Sequence, residues 1–195
     1  MILIINNGSQ YTHVIWRAVR DLGFEGKIVQ PDVPHEELLS AEKVILSGGP
    51  NSVYNTDIKG NRFIIEQVAS GKAKIPILGI CFGQQAIAHV LGGKVEKGAS
   101  AEYGTMDIEI DKPDGVLSGL PPKIKAWVSH YDEVKALPKG FIPLAHSDVC
   151  KFEAMRHESL PIHSVQFHPE VWHTEHGEKI LENFLMSARG GFNPP

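Results

Sequence analysis

The chain is poor in several features that would have pointed elsewhere. Only two cysteines, Cys81 and Cys150, occur in 195 residues, too few for a disulfide framework and in keeping with a reducing compartment. Charge of one sign is missing as well. With 19 Lys and Arg against 23 Asp and Glu, a formal net charge of -4 and no basic run, the chain offers no electrostatic case for nucleic-acid or membrane binding. Long apolar runs are absent: Met1-Ile2-Leu3-Ile4-Ile5 is too short for a signal-peptide core and leads into a turn, and nothing later approaches the ~20 apolar residues of a membrane span. The expected location is therefore the cytoplasm. A G-x-G-x-x-G fingerprint, a phosphate loop ending in Gly-Lys-Ser/Thr and an HExxH pair are all lacking, so no nucleotide or metal site is expected on these grounds. What is present, at 42% hydrophobic, suits one globular domain with ample core, expected over residues 1–189 with a frayed tail at 190–195.

The pattern in the first half is alternation of strand and helix. Residues 2–5 form a continuous apolar run of the buried parallel-strand type. Ser9 is expected to cap a helix carrying Val14, Ile15, Ala18, Val19 and Leu22, which Gly23 ends before a strand near 27–30. Residues 43–46 are a third strand, and residues 61–69 a helix closed by Gly71. From Lys94 onward the pattern changes to short alternating segments near 104–110, 125–128, 133–137, 141–145 and 151–156, separated by Gly, Pro and Asp. Ile180, Leu181, Phe184 and Leu185 then mark a closing amphipathic helix. The expected fold is α/β: a doubly wound, mostly parallel central sheet with helices on both faces and a small added antiparallel sheet, the latter bringing the distant His168 back to Cys81. Ligand sites in such a fold lie at the carboxyl ends of the strands.

The most informative stretch is residues 74–93, which reads as buried strand, sharp turn and helix. Gly79-Ile80-Cys81-Phe82-Gly83 has the small-X-nucleophile-X-small form of a nucleophile elbow, whose flanking glycines let two backbone segments approach. Ala86, Ile87, Val90 and Leu91 follow at helical spacing, and Gly92-Gly93 supplies the stop. A helix beginning beside Cys81 favours thiolate through its amides and dipole. A cysteine in an apolar run is commonly inert filler, so the thiol needs a proton carrier. Gln166-Phe167-His168-Pro169-Glu170 supplies one: the proline biases His168 toward extended backbone, where residues i and i+2 project to the same side, and Glu170 can hold the imidazole. Cys81, His168 and Glu170 then read as a triad.

Gly-Ile-Cys-Phe-Gly-Gln-Gln together with His-Pro-Glu resembles the class I glutamine amidotransferases, whose triad runs Cys, His, Glu in this order. Further stretches, Gly8-Ser9-Gln10-Tyr11-Thr12, Ser129-His130-Tyr131-Asp132 and the run from His168 to Gly177, are similar to the branch serving GMP synthetases. With the chain ending at Pro195, the likeness is to the separate amidotransferase subunit of two-subunit, archaeal-type synthetases. The resemblance implies glutamine as substrate, no cofactor on this chain, and an ATP-pyrophosphatase partner subunit carrying ATP and Mg. It further implies that the backbone amides of Gly49 and Phe82 form an oxyanion hole. Asn51, Gln85, Ser129, His130, Tyr131 and Asp132 would bind glutamine, and His173 would belong to the partner face. Many relatives have glycine at the position of Tyr131, where a side chain narrows the pocket or marks a loop that settles only with the partner.

Competing readings stay open at this level. The glycine-rich segment 47–51 is equally a tight strand-to-helix turn, and Ser9 a simple cap. His163, His168, His173 and His176 are numerous enough to suggest zinc, yet no cysteine pair lies near them. A stand-alone cysteine hydrolase of the same fold, or a catalytically idle regulatory module, would share most of these features.

Overall fold

The computed structural model describes residues 1–187; the tail expected at 190–195 lies outside them. Four short strands, β1 (Ile2–Ile5), β3 (Lys43–Leu46), β4 (Ile77–Ile80) and β9 (Ile162–Val165), are buried along their whole length, as parallel strands covered on both faces must be. With β2 (Gly26–Val29), β8 (Ala154–His157), β7 (Phe141–His146), β5 (Lys94–Ile110) and β6 (Lys123–Ala136), they form one nine-stranded sheet in the order β2-β1-β3-β4-β9-β8-β7-β5-β6. The first five strands of that order are parallel and the remaining pairs antiparallel.

Alternate side chains divide the core in two. Ile2, Ile4, Ile45, Leu78 and Ile80 face one layer with α1 (Thr12–Asp21) and α5 (Gly177–Met186). Leu3, Ile5, Val44, Leu46 and Ile77 face the other, with α2 (His35–Ser40), α3 (Lys59–Ala69) and α4 (Phe82–Val90). That division follows from the period of two along each strand. Among the described residues no helix is long and apolar enough to cross a membrane.

Four details differ from the sequence expectation. The antiparallel strands are added, but by hydrogen bonds onto the central sheet, so the sheet is single. The return of His168 is made by β9, which lies parallel against β4 with Ile80 opposite Val165; its apolar run is interrupted by His163 and Ser164, which hid it. Residues 129–132 are not a free loop but lie inside β6, beside a register shift against β5. Ser9 does not cap α1: Tyr11 holds that position without a side-chain bond, and the Ser9 hydroxyl instead accepts from Tyr11 N at 3.0 Å.

The turn between β4 and α4 needs its glycines for space. A Cβ on Gly79 would fall 2.6 Å from the Gly83 carbonyl carbon, and one on Gly83 would fall 2.3 Å from Leu46 O. Both obstacles are backbone and cannot swing aside. Gly83→Ala is therefore expected to cost about 3 kcal/mol or more in overpacking. Gly23→Ala, with φ +86 but nothing within 4 Å, should cost only the left-handed penalty of about 1–2 kcal/mol. Denaturant unfolding midpoints measure both, and equal shifts would contradict the packing argument.

Candidate active site

Cys81 sits between β4 and α4 at φ 52, ψ -106, a backbone that L-residues rarely adopt. Its N–H donates to Val165 O at 2.8 Å, and its carbonyl accepts from Gln84 N and Gln85 N at 3.0 and 3.2 Å. The strand edge and the first helical turn thus hold the residue from both sides. The amides of Phe82 and Gly83 fall in the first turn of α4, where a helix has no acceptor of its own to offer them. Cys81 is 4% exposed, and its sulfur lies 3.8 Å from Ser129 O.

Beyond the end of the neighbouring strand β9, after Gln166 and Phe167, comes His168. Its Nδ1 is 2.8 Å from Glu170 Oε1, and both side chains are buried. Tyr11 packs edge-on against the imidazole at 5.2 Å. Burial alone pushes this histidine's pKa down, but the Glu170 carboxylate beside it and the Cys81 sulfur outweigh burial, and the pKa is raised well above its ordinary 6.5. Gly48 lies between the two groups: a Cβ there would fall 3.0 Å from His168 Cε1 and 3.6 Å from Cys81 Cβ. Sequence reasoning singled out Gly49 and passed over Gly48, although both belong to the same glycine pair after β3.

Cys81 opens onto two clefts. One, of about 260 Å³, is lined by Ser9, Gln10, Tyr11, Gly49 and His168 among others. The second, of about 440 Å³, gathers Gly49, Asn51, Gln85, Ser129, His130, Tyr131 and Asp132. The structure therefore brings together every residue expected to bind glutamine. Gln85 Nε2 donates to Asp132 O at 2.7 Å and to Gln166 Oε1 at 3.3 Å, so it also ties α4 to β6. Asn51 stands at the exposed rim, with its Nδ2 3.4 Å from Thr56 Oγ1. Tyr131 is half exposed, with the Lys97 ammonium 5.4 Å from its ring.

A polar web beneath the elbow had no signal in the motif pattern. Gln84 Nε2 donates to Phe152 O at 2.7 Å while its Oε1 accepts from Ser164 Oγ at 2.9 Å, fixing α4 to β9 and to the segment that leads into β8. The other histidines part company. His163 is buried in β9, and burial, with Arg156 nearby, pushes its pKa down to about 4. His173 stacks on Trp127 and Trp172, and His176 precedes α5 at φ 57. Among the described residues no group of three or more His, Cys, Asp or Glu is placed to hold a metal ion. Cys150 is fully buried, and desolvation, then the Glu153 and Glu133 carboxylates, push its thiol pKa far up.

Comparison with known proteins agrees with this geometry. The family profile of the class I glutamine amidotransferases matches residues 3–188. A GMP synthase [glutamine-hydrolyzing] subunit of Pyrococcus abyssi is 51% identical over 187 residues, covering 94% of this chain and 96% of the relative. The protein of the same name from Methanocaldococcus jannaschii is 46% identical over 187 residues, covering 94% and 95%. Among solved structures, a protein assigned as a GMP synthase subunit from Thermoplasma acidophilum superposes with TM-score 0.86 at 35% identity, over 94% of this chain and 91% of that one. A glutamine amidotransferase from Thermotoga maritima, at 23% identity and TM-score 0.72 over 87% and 76%, shares the fold. With a match across nearly its whole length and the family's motif residues gathered around one strained cysteine, the chain belongs to the class I glutamine amidotransferases.

Proposed function

We propose that this chain hydrolyses glutamine to glutamate and ammonia, and supplies the ammonia to a separate subunit that converts xanthosine monophosphate to GMP. The observation that carries the reading is the strained Cys81 elbow lining one cleft together with His168, whose imidazole is held by the buried Glu170. The names of its relatives, each one subunit of a glutamine-hydrolysing GMP synthase, support both the substrate and the existence of a partner.

The Cys81 thiolate attacks the side-chain amide carbon of glutamine. Charge develops on the amide oxygen, and the Gly49 and Phe82 N–H groups stabilise it; one such donor is typically worth roughly 3 kcal/mol. His168, protonated because Glu170 holds its pKa up, gives its proton to the departing nitrogen, leaving a γ-glutamyl thioester and ammonia. Water then loses a proton to the same imidazole and attacks the thioester, releasing glutamate and the thiol. Each step balances with groups on this chain. ATP and Mg belong to the partner, an ATP-pyrophosphatase subunit that activates the nucleotide, and the pair works in the cytoplasm. The partner docks over Ser129, Asp132 and His173, where Trp172 and Tyr103 present large exposed aromatic faces.

The raised pKa gives a pH prediction. Removing the Glu170 charge leaves burial as the dominant influence on His168, so the imidazolium is lost at lower pH. His168→Ala should lower kcat about 100- to 10,000-fold. Glu170→Gln should cost less, and its alkaline limb should move to lower pH, so that the deficit is greater at the alkaline end of the profile than at the acid end. Parallel profiles for wild type and Glu170→Gln would contradict the assigned role.

Reconstitution tests the function as a whole. Glutamine, ATP, xanthosine monophosphate, this chain and an archaeal-type ATP-pyrophosphatase subunit should yield GMP. Cys81→Ala should abolish that yield, Cys150→Ser should leave it intact, and free ammonia should bypass the Cys81→Ala block. GMP formed from glutamine equally well with Cys81→Ala, or ammonia delivered only to a different acceptor, would overturn the reading.

A further inference from the structure

Glu170 fixes the rotation of the His168 ring, but something else must fix the backbone that carries it. His168 stands past the end of β9 and before Pro169, outside every strand ladder. Its N–H donates to Trp127 O at 2.9 Å. In a regular antiparallel pair the return bond would run from Trp127 N to His168 O. Here the Thr174 hydroxyl stands in between: it accepts from Trp127 N at 2.9 Å and donates to His168 O at 2.6 Å. Val171 N reaches the same carbonyl at a longer 3.4 Å. Thr174 is 6% exposed, and its neighbour Glu175 repeats the attachment at Lys125 of β6, its N–H donating to Lys125 O at 2.8 Å and its carboxylate accepting from Lys125 N at 2.7 Å.

Two residues beyond Trp127 on the same strand, Ser129 O meets the Cys81 sulfur. The hydroxyl therefore ties His168 to the piece of β6 that touches Cys81, with one bridging oxygen between them.

We propose that Thr174 is a positioning residue that sets the distance between His168 and Cys81 through this double hydrogen bond. The inference rests on the amidotransferase reading. Its effect falls on proton transfer and not on glutamine capture, because Thr174 contacts the backbone of His168 and lines neither cleft that opens onto Cys81.

Thr174→Val keeps the shape and removes both bonds, whereas Thr174→Ser keeps the bonds and removes a methyl. In the complex with the partner subunit, Thr174→Val should lower kcat for glutamine hydrolysis about 10- to 100-fold, the scale on which small misplacements act, with KM changed less than about twofold. Thr174→Ser should restore kcat to within about threefold of wild type. A wild-type rate in Thr174→Val, or a loss shared between kcat and KM that serine does not repair, would overturn the proposal. Should the valine variant fail to fold, Thr174→Ala is read in the same way; failure of both to fold would make the role purely structural and also overturn it. A wild-type complex that released no glutamate would instead sink the amidotransferase reading itself.

Discussion

The site depends on a backbone conformation that Cys81 could not hold alone. A non-glycine residue at φ 52, ψ -106 costs of order 1–3 kcal/mol and persists only where its surroundings over-determine it. Here they do so from three directions. Val165 O takes the Cys81 N–H, the first turn of α4 takes its carbonyl, and the close approach of Gly83 to Leu46 O leaves the turn no room to relax. The strain lifts the thiol off the sheet and points the opening turn of α4 at the same space. Packing energy from the two-layered core is in this way converted into placement of one sulfur.

The second dependence is electrostatic. Burial disfavours a charged imidazole, and His168 is almost completely buried, so its raised pKa requires a partner strong enough to reverse the sign. Glu170 at 2.8 Å, itself out of solvent, is the main such partner, and the Cys81 sulfur adds to its effect. The imidazolium is thus a stabilising charge in the folded state, fully present below its ordinary pKa near 6.5 and lost as the pH climbs through the raised value. His163 shows the opposite outcome in the adjacent strand: buried, with Arg156 nearby, it is driven neutral and serves as core.

Much of this was legible in the sequence, for reasons that can be named. The run 2–5 matched β1 to the residue because a strand covered on both faces leaves an unbroken apolar signature, and the elbow glycines and His-Pro-Glu carried the site because close packing and extended backbone restrict residue type. The parts that escaped lacked such a signature. Helix α2 has six residues and a single fully buried side chain, Leu38. Strand β9 carries a neutralised histidine and a serine whose hydroxyl is absorbed by Gln84, so its buried character does not show. Residues 129–132 read as a loop because they are polar, yet pairing with β5 keeps them in a strand. Thr174 depends wholly on tertiary placement, and no local pattern announces a hydroxyl that bridges two backbones.

The central claim is that the Cys81 sulfur is the nucleophile toward glutamine. The most direct test is to quench the reconstituted complex in acid during turnover and search the intact chain and its peptides by mass spectrometry for a γ-glutamyl thioester. The account predicts the adduct on Cys81 alone, formed from glutamine and absent from Cys81→Ala. An adduct on Cys150, or steady glutamate release by the wild-type chain with no thioester at any time point, would contradict it.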